Sequence, residues 1–277
     1  MSNLKIHPST TFDEYKALGG VNWSKLKHLR DGSPLHYKHA EASQDSGDTA
    51  SRGMLRAVHC LVLEPETWDD NYTVTSLRRD GRTTVWKEYL ADNPGRTHLT
   101  TPEAGKARSI AASVLAHPVA GPMFTGDGQS EVTVQWVDKD TGLACKGRID
   151  RLQDAVIDLK TVGSLEERRL AYMMAKMGWH CQLAHYSNGA KAVFQRRLPV
   201  LLVAVESKPP HDVGVFLLDP ESTLWAGEAE CRQLLSTLAE CLDTNHWPGR
   251  YPAVRPVELP AWAFGDDPSE VEVTHDD

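Results

Sequence analysis

The chain has 277 residues and a mass of 30.7 kDa, enough for one large domain or two small ones. Hydrophobic residues make up 40 % and charged residues 25 %, a globular composition that argues against wholesale disorder. No apolar run approaches the ~20 residues that span a bilayer, and the first 15 residues lack the apolar segment of a secretory signal. We therefore expect a cytoplasmic protein that does not partner a membrane.

The negative charge is unevenly distributed. The net charge is −8, from 30 basic and 38 acidic residues. Residues 258–277 contain acidic residues and no Lys or Arg, so that segment is an acidic, flexible tail by composition. Because the rest of the chain is close to neutral, its charge does not exclude a phosphate-rich substrate.

The order of predicted elements indicates one α/β domain. Residues 1–48 are predicted to form an N-terminal arm with a short helix at 23–30, followed by a polar linker that begins at 41. Residues 49–257 would form the domain. Within it we predict helices at 49–63, 102–117, 164–177, 180–196 and 221–243, and strands at 131–137, 143–151, 155–161, 199–206 and 213–218. This order predicts a central mixed β-sheet flanked by helices.

Several familiar motifs are absent. The sequence contains no G-x-x-x-x-G-K-[ST] loop, which argues against ATP as a cofactor, and no dinucleotide, serine-hydrolase or zincin signature. The five cysteines include no C-x-x-C pair, so neither a disulfide framework nor a zinc ribbon is predicted.

Two aspartates on successive predicted strands carry the strongest chemical signal. Asp150 ends the stretch Gly-Arg-Ile-Asp, and Asp158 begins Asp-Leu-Lys on the next strand, with Lys160 on the same face. Two carboxylates brought together beside an apolar sheet repel each other unless a cation neutralises them. Oxygen ligands favour Mg²⁺, with Mn²⁺ as a substitute. The alternative is a surface hairpin with an Asp–Lys ion pair.

Two helical patterns add candidates near these acids. Arg52, Arg56 and His59 have the i, i+4, i+7 spacing of one polar stripe on the helix at 49–63. Gln182 and Tyr186 are four residues apart and share a face of the helix at 180–196. The alternatives are a hydrogen-bonded core or surface histidine and an ordinary half-buried pair.

The chain resembles the RecB-like branch of the PD-(D/E)XK nuclease superfamily in His59, Asp150, Asp158, Lys160, Gln182 and Tyr186. It is most similar to the RecE family, the exonuclease VIII type of phage and prophage recombination nucleases. The similarity extends over about residues 20–252, in segments at 33–38, 56–66, 141–150, 179–186, 203–210 and 246–251. Leu55 departs from the small residue usual four positions before the histidine, and Asp158 stands where many relatives outside the RecE group have Glu.

The resemblance implies a PD-(D/E)XK core and a role for each matched position. His59, Asp150, Asp158 and the backbone carbonyl of Leu159 would hold Mg²⁺, which polarises the scissile phosphate. Lys160 would position or activate water. Gln182 and Tyr186 would hold the site wall and the strand being cut. Glu131 is either a supporting residue or purely structural. Iron–sulfur relatives need a four-cysteine cluster, and this cysteine pattern predicts none.

The resemblance further implies an exonuclease that digests duplex DNA ends 5′→3′, leaving a 3′ single strand for a RecT-type annealing protein. It implies a homo-oligomeric ring, a tetramer in the RecE family. Alternatives are another polarity, an endonuclease, or a non-catalytic DNA-binding component of a prophage complex. Candidate DNA contacts, each of which could instead be a solvated charge or ring, are Arg52, Arg56, Arg78, Arg79, Arg82, Trp86 and Lys87.

Overall fold

The computed structural model of the chain describes residues 5–7, 10–42, 50–251, 253–260 and 263. The strands are β1 (Lys5–His7), β2 (Tyr72–Thr75), β3 (Thr97–Thr100), β4 (Gln129–Val137), β5 (Ala144–Leu152), β6 (Val156–Val162), β7 (Val200–Glu206) and β8 (Val213–Leu217). The helices are α1 (Phe12–Ala17), α2 (Trp23–Asp31), α3 (Pro34–Ala42), α4 (Ala50–Leu63), α5 (Trp68–Asn71), α6 (Thr84–Asp92), α7 (Thr101–Ala116), α8 (Ala120–Thr125), α9 (Glu167–Met177), α10 (Trp179–Phe194) and α11 (Thr223–Thr244).

Six strands form the central sheet in the order β1-β4-β5-β6-β7-β8. All neighbouring pairs are antiparallel except β6 and β7, which are parallel because α9 and α10 connect them. The predicted α/β class and mixed central sheet flanked by helices are therefore confirmed. Among the described residues, no helix combines the length and the apolar composition needed to cross a membrane.

The two faces of the sheet are covered by different helices. Val156 and Val162 of β6 pack into a core with α2, α10 and α11. Ile157 and Leu159 of the same strand pack into a second core with α4, α7 and α8. Alternation along β6 therefore gives it apolar contacts on both faces, which places its polar residues deep inside the domain.

A single residue joins α9 to α10. Gly178 has φ 72°, the left-handed conformation that ends many helices, and its N–H group contacts the carbonyls of Met174 and Ala175. A Cβ atom at this position would lie 2.7 Å from the Trp23 ring. Both the backbone angle and the space therefore require glycine here.

The N-terminal segment shares the core of the domain. β1 pairs with β4 at the edge of the sheet, and Trp23 and Leu26 of α2 lie in the core beneath α10. α2 ends at Asp31, and Pro34 begins α3, where its missing N–H group is tolerated. Of the polar linker predicted at 41–48, residues 41 and 42 instead end α3, and the rest lies outside the described residues. Most of the tail at 258–277 also lies outside them; residues 258–260 and 263 are exposed.

Residues 72–100 form a small lobe that sequence patterns did not predict. β2 and β3 pair in parallel, and α6 connects them. The basic residues between 78 and 87 lie in the loop after β2 and at the start of α6. Trp86 is the buried anchor of this lobe, with 8 % of its surface exposed and its ring beside Tyr89 and His98.

Candidate metal-dependent active site

Strand register places Glu131 opposite Asp150. In the β4–β5 ladder Val132 pairs with Ile149, so the residues next to them on each strand face each other. Glu131 has φ 52°, and the ladder is interrupted at this point. Two acidic residues directly opposite each other on neighbouring strands are destabilising unless another charge compensates them.

The next carboxylate follows where β5 and β6 separate. Their pairing ends at Arg151 and Ile157, and continuing that register brings Asp158 beside Asp150. Instead of a backbone carbonyl, the Asp150 side chain accepts the hydrogen bond of the Leu159 N–H, with 2.8 Å from N to Oδ2. Glu131, Asp150 and Asp158 therefore follow one another across three strands, and we call them the carboxylate row.

Asp158 is the most deeply buried member of the row, with 0 % of its side chain exposed. Its Oδ2 forms an ion pair with the Lys160 ammonium, and neither oxygen accepts a well-formed hydrogen bond from the described part of the chain. Burial raises the pKa of Asp158 to about 6, against the opposing effect of Lys160. The pKa of Lys160 is lowered by burial but raised more by Asp158 and Asp150, so Lys160 is a charged ammonium.

His59 of α4 reaches the row from the other face of the sheet. Its Nδ1 lies 3.6 Å from Asp150 Oδ2, and its ring is hydrogen-bonded to the backbone of Leu159. Burial, aided by the Lys160 charge, lowers the pKa of His59 to about 4. The imidazole is therefore neutral at neutral pH, the form that binds metal ions.

Glu131 is tied to two further charged residues. Arg148 forms an ion pair with Glu131 through Nε, and its Nη2 lies 3.8 Å from a Glu64 carboxylate oxygen. Burial and the nearby Asp150 raise the pKa of Glu131 to about 7, although Arg148 acts in the opposite direction. Glu131 is thus part of the site's electrostatics rather than an isolated surface acid.

The residues present fit a divalent cation. One donor atom each from His59, Glu131 and Asp150 lies within 4.8 Å of the other two. Among the described residues, the buried Asp158 Oδ1 has no hydrogen-bond partner, and burial raises the pKa values of all three acids of the row. Carboxylate oxygens with one imidazole are donors that Mg²⁺ and Mn²⁺ accept.

Gln182 and Tyr186 form the wall on the α10 side. Gln182 Nε2 donates to the Tyr186 hydroxyl oxygen at 3.0 Å. The Tyr186 ring packs on Gly147 of β5, where a Cβ atom would lie 2.9 Å from the ring. Burial first, and then Tyr15, Asp150 and Asp158, raise the pKa of Tyr186 well above its ordinary value, so its hydroxyl keeps its proton.

A protein-family comparison now identifies this arrangement. Residues 23–253 match the family model described as a PDDEXK-like domain of unknown function, DUF3799. The chain belongs to this PDDEXK-like family. The match includes every residue of the site, from His59 to Tyr186.

The fold of this PDDEXK-like domain also occurs in a solved structure. A crystal structure of a "Putative exonuclease" from Eubacterium rectale superposes with a TM-score of 0.62 at 11 % sequence identity, covering 91 % of this chain and 96 % of that one. No curated protein sequence matches the chain. The similarity supports a nuclease fold, and nucleases of the PDDEXK type generally depend on a divalent metal.

The predicted DNA contacts of the PDDEXK-like domain fall into two groups. Arg56, Arg78, Arg82 and Lys87 are exposed. Arg79, in contrast, contacts the Glu103 carboxylate at 2.5 and 2.9 Å, and the Trp86 ring is enclosed in the lobe. Trp86 is therefore not available to stack on a base, contrary to the expectation from sequence, and Arg79 is engaged within the lobe. The side chain of Arg52 lies outside the described residues.

Two residues of the site were not assigned from the sequence. Arg148 alternates with Asp150 on β5, so its position two residues earlier could have placed it on the same face. Glu64 follows the last residue of α4, and no pattern in the sequence connects it to the distant Arg148.

Proposed function

We propose that the protein is a metal-dependent exonuclease that hydrolyses DNA from duplex ends. The observation that carries the proposal is the pair Asp150 and Asp158 at the split between β5 and β6, with His59 beside one and Lys160 on the other. A domain that only binds DNA gains nothing from two repelling buried carboxylates, whereas phosphodiester hydrolysis needs the cation that they attract.

Each side chain has a role in that reaction. His59, Asp150, Asp158 and the Leu159 carbonyl would hold Mg²⁺, which supplies Lewis acidity toward the scissile phosphate and the attacking water. Lys160, as an ammonium, neutralises charge on the phosphate and holds a water by hydrogen bonding; it does not remove a proton while charged.

The wall on α10 positions the strand. Tyr186 keeps its proton and can donate a hydrogen bond to a phosphate oxygen, while Gln182 fixes the direction of that hydroxyl. Arg148 holds Glu131 at the rim of the carboxylate row, which limits its freedom to turn toward the negatively charged DNA.

The finer parts of the proposal rest on the resemblance to the RecE family. They are digestion 5′→3′, a 3′ single-stranded product for an annealing protein of the RecT type, and a closed ring of identical subunits. A ring keeps a motor-free enzyme on its substrate, because dissociation then requires sliding off an end. Light scattering of the purified chain, with a chase of unlabelled duplex during digestion, distinguishes a processive ring from a distributive monomer.

The decisive experiment uses linear duplex labelled separately at its 5′ and 3′ ends, with covalently closed circular duplex alongside. With Mg²⁺ we expect early release of the 5′ label, late release of the 3′ label and no cleavage of the circle. Early release of the 3′ label would indicate digestion in the 3′→5′ direction, and cleavage of the circle would indicate an endonuclease.

Matched variants link the activity to the site. Asp158→Ala should be inactive, whereas Asp154→Ala should be fully active because that carboxylate is 97 % exposed on the intervening turn. Activity retained by Asp158→Ala, or no hydrolysis of any substrate by the wild type, would contradict the proposal.

A further inference from the structure

A second group of metal-binding side chains lies where α10 packs on α11. His180 and Cys181 begin α10, and Glu230 faces them from α11. Cys181 Sγ lies 3.0 Å from Glu230 Oε2 and 3.3 Å from His180 Nε2, and the last two atoms are 3.2 Å apart. We call these three residues the helix triad. They supply sulfur, nitrogen and oxygen at the corners of one small triangle.

The size of this triangle matches one face of a tetrahedral zinc site. Zinc bonds of about 2.3 Å to sulfur and about 2.0–2.2 Å to nitrogen and oxygen place neighbouring donors roughly 3.3–3.6 Å apart. The three observed separations are within a few tenths of an ångström of that range. Only small side-chain movements would be needed for all three to contact one ion.

The hydrogen bonds of the triad already direct its donor atoms at one point. His180 Nδ1 lies 3.3 Å from the Met174 carbonyl oxygen, which can only accept, so Nδ1 carries a proton. On the other side of the ring, Nε2 lies within hydrogen-bond distance of both Glu230 Oε2 and Cys181 Sγ. A bound ion would take the place of the protons that these three atoms share.

The surroundings orient the donors as supporting residues do in metal sites. Arg30 donates from Nε to Glu230 Oε1 at 2.7 Å, which leaves Oε2 directed at the triad. The Met174 carbonyl fixes the ring of His180 in the same way. Cys181 is fully buried, whereas the Glu230 side chain is 35 % exposed, so an ion can enter from the Glu230 side.

We propose that the helix triad binds one Zn²⁺ ion at a site separate from the carboxylate row. Its thiolate and imidazole donors suit zinc and not magnesium. Binding would release the Cys181 thiol proton to solvent and neutralise the ion with one thiolate and one carboxylate. The ion would join α10 to α11 one residue before Gln182, and so fix the helix that presents Gln182 and Tyr186.

The test uses the full chain, stripped with a chelator and titrated with Co²⁺, a spectroscopic substitute for Zn²⁺. We expect one equivalent of Co²⁺ to give a near-ultraviolet thiolate charge-transfer band, unaffected by excess Mg²⁺. The band should persist in Asp150→Asn, which alters the carboxylate row, and in Cys241→Ser, a buried cysteine elsewhere on α11. It should disappear in Cys181→Ser.

A second variant keeps the test decisive if Cys181→Ser does not fold. Glu230→Gln retains an acceptor for Arg30 but loses the negative ligand, so Zn²⁺ affinity should fall at least ~10-fold. A wild type without the charge-transfer band would overturn the proposal and leave the triad as a hydrogen-bonded network. An undiminished band in Cys181→Ser, or an unchanged affinity in Glu230→Gln, would overturn it as well.

Discussion

The carboxylate row and the helix triad lie in one domain and are assembled in different ways. In the row, strand register sets like charges side by side, and the pKa values of all three acids are raised. In the triad, helix packing brings unlike groups together, and Arg30 compensates the charge of Glu230. In the row, burial raises the pKa values of the acids despite the opposing charges of Lys160 and Arg148. In the triad, burial is outweighed by the hydrogen bonds from Cys181 and Arg30, which lower the pKa of Glu230.

This difference indicates what each cluster contributes. The rest of the fold holds the row's carboxylates together and so prepares a site whose free energy falls when a cation arrives. The triad lies among α2, α9, α10 and α11 and stabilises their contacts directly. Damage to the row should therefore reduce activity with little loss of stability, and damage near the triad should do the opposite.

The largest effect is expected at the centre of the row. Asp150→Asn should lower nuclease turnover at least ~10³-fold, because a negative ligand that contributes several kcal/mol to the transition state is lost. The metal-free protein should unfold at no lower temperature, since the charge opposite Glu131 is removed and the amide oxygen still accepts the Leu159 N–H. Turnover and thermal unfolding should both be compared with Asp154→Asn, and a clear drop in melting temperature would refute this account of the row.

Lys160→Ala should reduce turnover by roughly 10²-fold, as for the loss of a positioned proton or charge donor. It also leaves Asp158 buried without its counter-ion, so the free energy of unfolding at neutral pH should fall by roughly 3 kcal/mol. Denaturant titration should show partial recovery in the double variant Lys160→Ala/Asp158→Asn. If the double variant is less stable than Lys160→Ala, the two residues are not coupled in this way.

Arg30→Ala should act mainly on stability. It removes hydrogen bonds to Glu230 and to the Ala175 carbonyl, at a cost of about 2 kcal/mol, while turnover changes only a few-fold. Arg196→Ala, which breaks the exposed pair with Asp154, is the control and should cost less than ~1 kcal/mol. If both variants lose the same free energy of unfolding, the hydrogen bonds of Arg30 contribute no more to stability than a surface ion pair.

The smallest effect concerns His185, which lies on α10 but belongs to neither cluster. Burial lowers its pKa to about 4, and its Nε2 contacts the Lys146 carbonyl oxygen at 3.0 Å. On acidification the unfolded chain binds a proton at His185 near pH 6.5, whereas the folded chain does so only near pH 4. The contribution of neutral His185 to the free energy of unfolding is therefore present above pH 6.5 and is lost as the pH falls from 6.5 toward 4. Between pH 7 and 5.5 the wild type should lose ~1 kcal/mol more unfolding free energy than His185→Gln. If the free energy of unfolding falls equally with pH in the two proteins, His185 is not the source of this pH dependence.

The middle of the chain was the most predictable part of the fold. Alternation on β4 and the short turns after β4 and β5 gave strand positions within about two residues, and the second turn made the proximity of Asp150 and Asp158 a geometric consequence. The place of Glu131 in the row could not be read in the same way, because its left-handed φ and the interrupted ladder leave no trace in residue type.

Predictions failed where distant contacts decide the outcome. Trp86 lies in a basic, turn-rich stretch, but Tyr89 and His98 enclose its ring once β2 and β3 pair. In the helix triad, Glu230 lies 49 and 50 positions after Cys181 and His180, and the sequence has no C-x-x-C spacing of the kind that usually signals zinc. Helix packing brings these residues together, and local sequence patterns do not predict which helices pack against each other.

At the corner between α9 and α10, one residue, Gly178, serves both helices. A connection of several residues would let one helix swivel independently of the other, but here one glycine ends α9 and leads directly into α10. α9 is exposed along most of its length, whereas α10 lies in the core. A substitution at this corner would therefore disturb the end of α9 and the start of α10 together, close to His180 and Gln182.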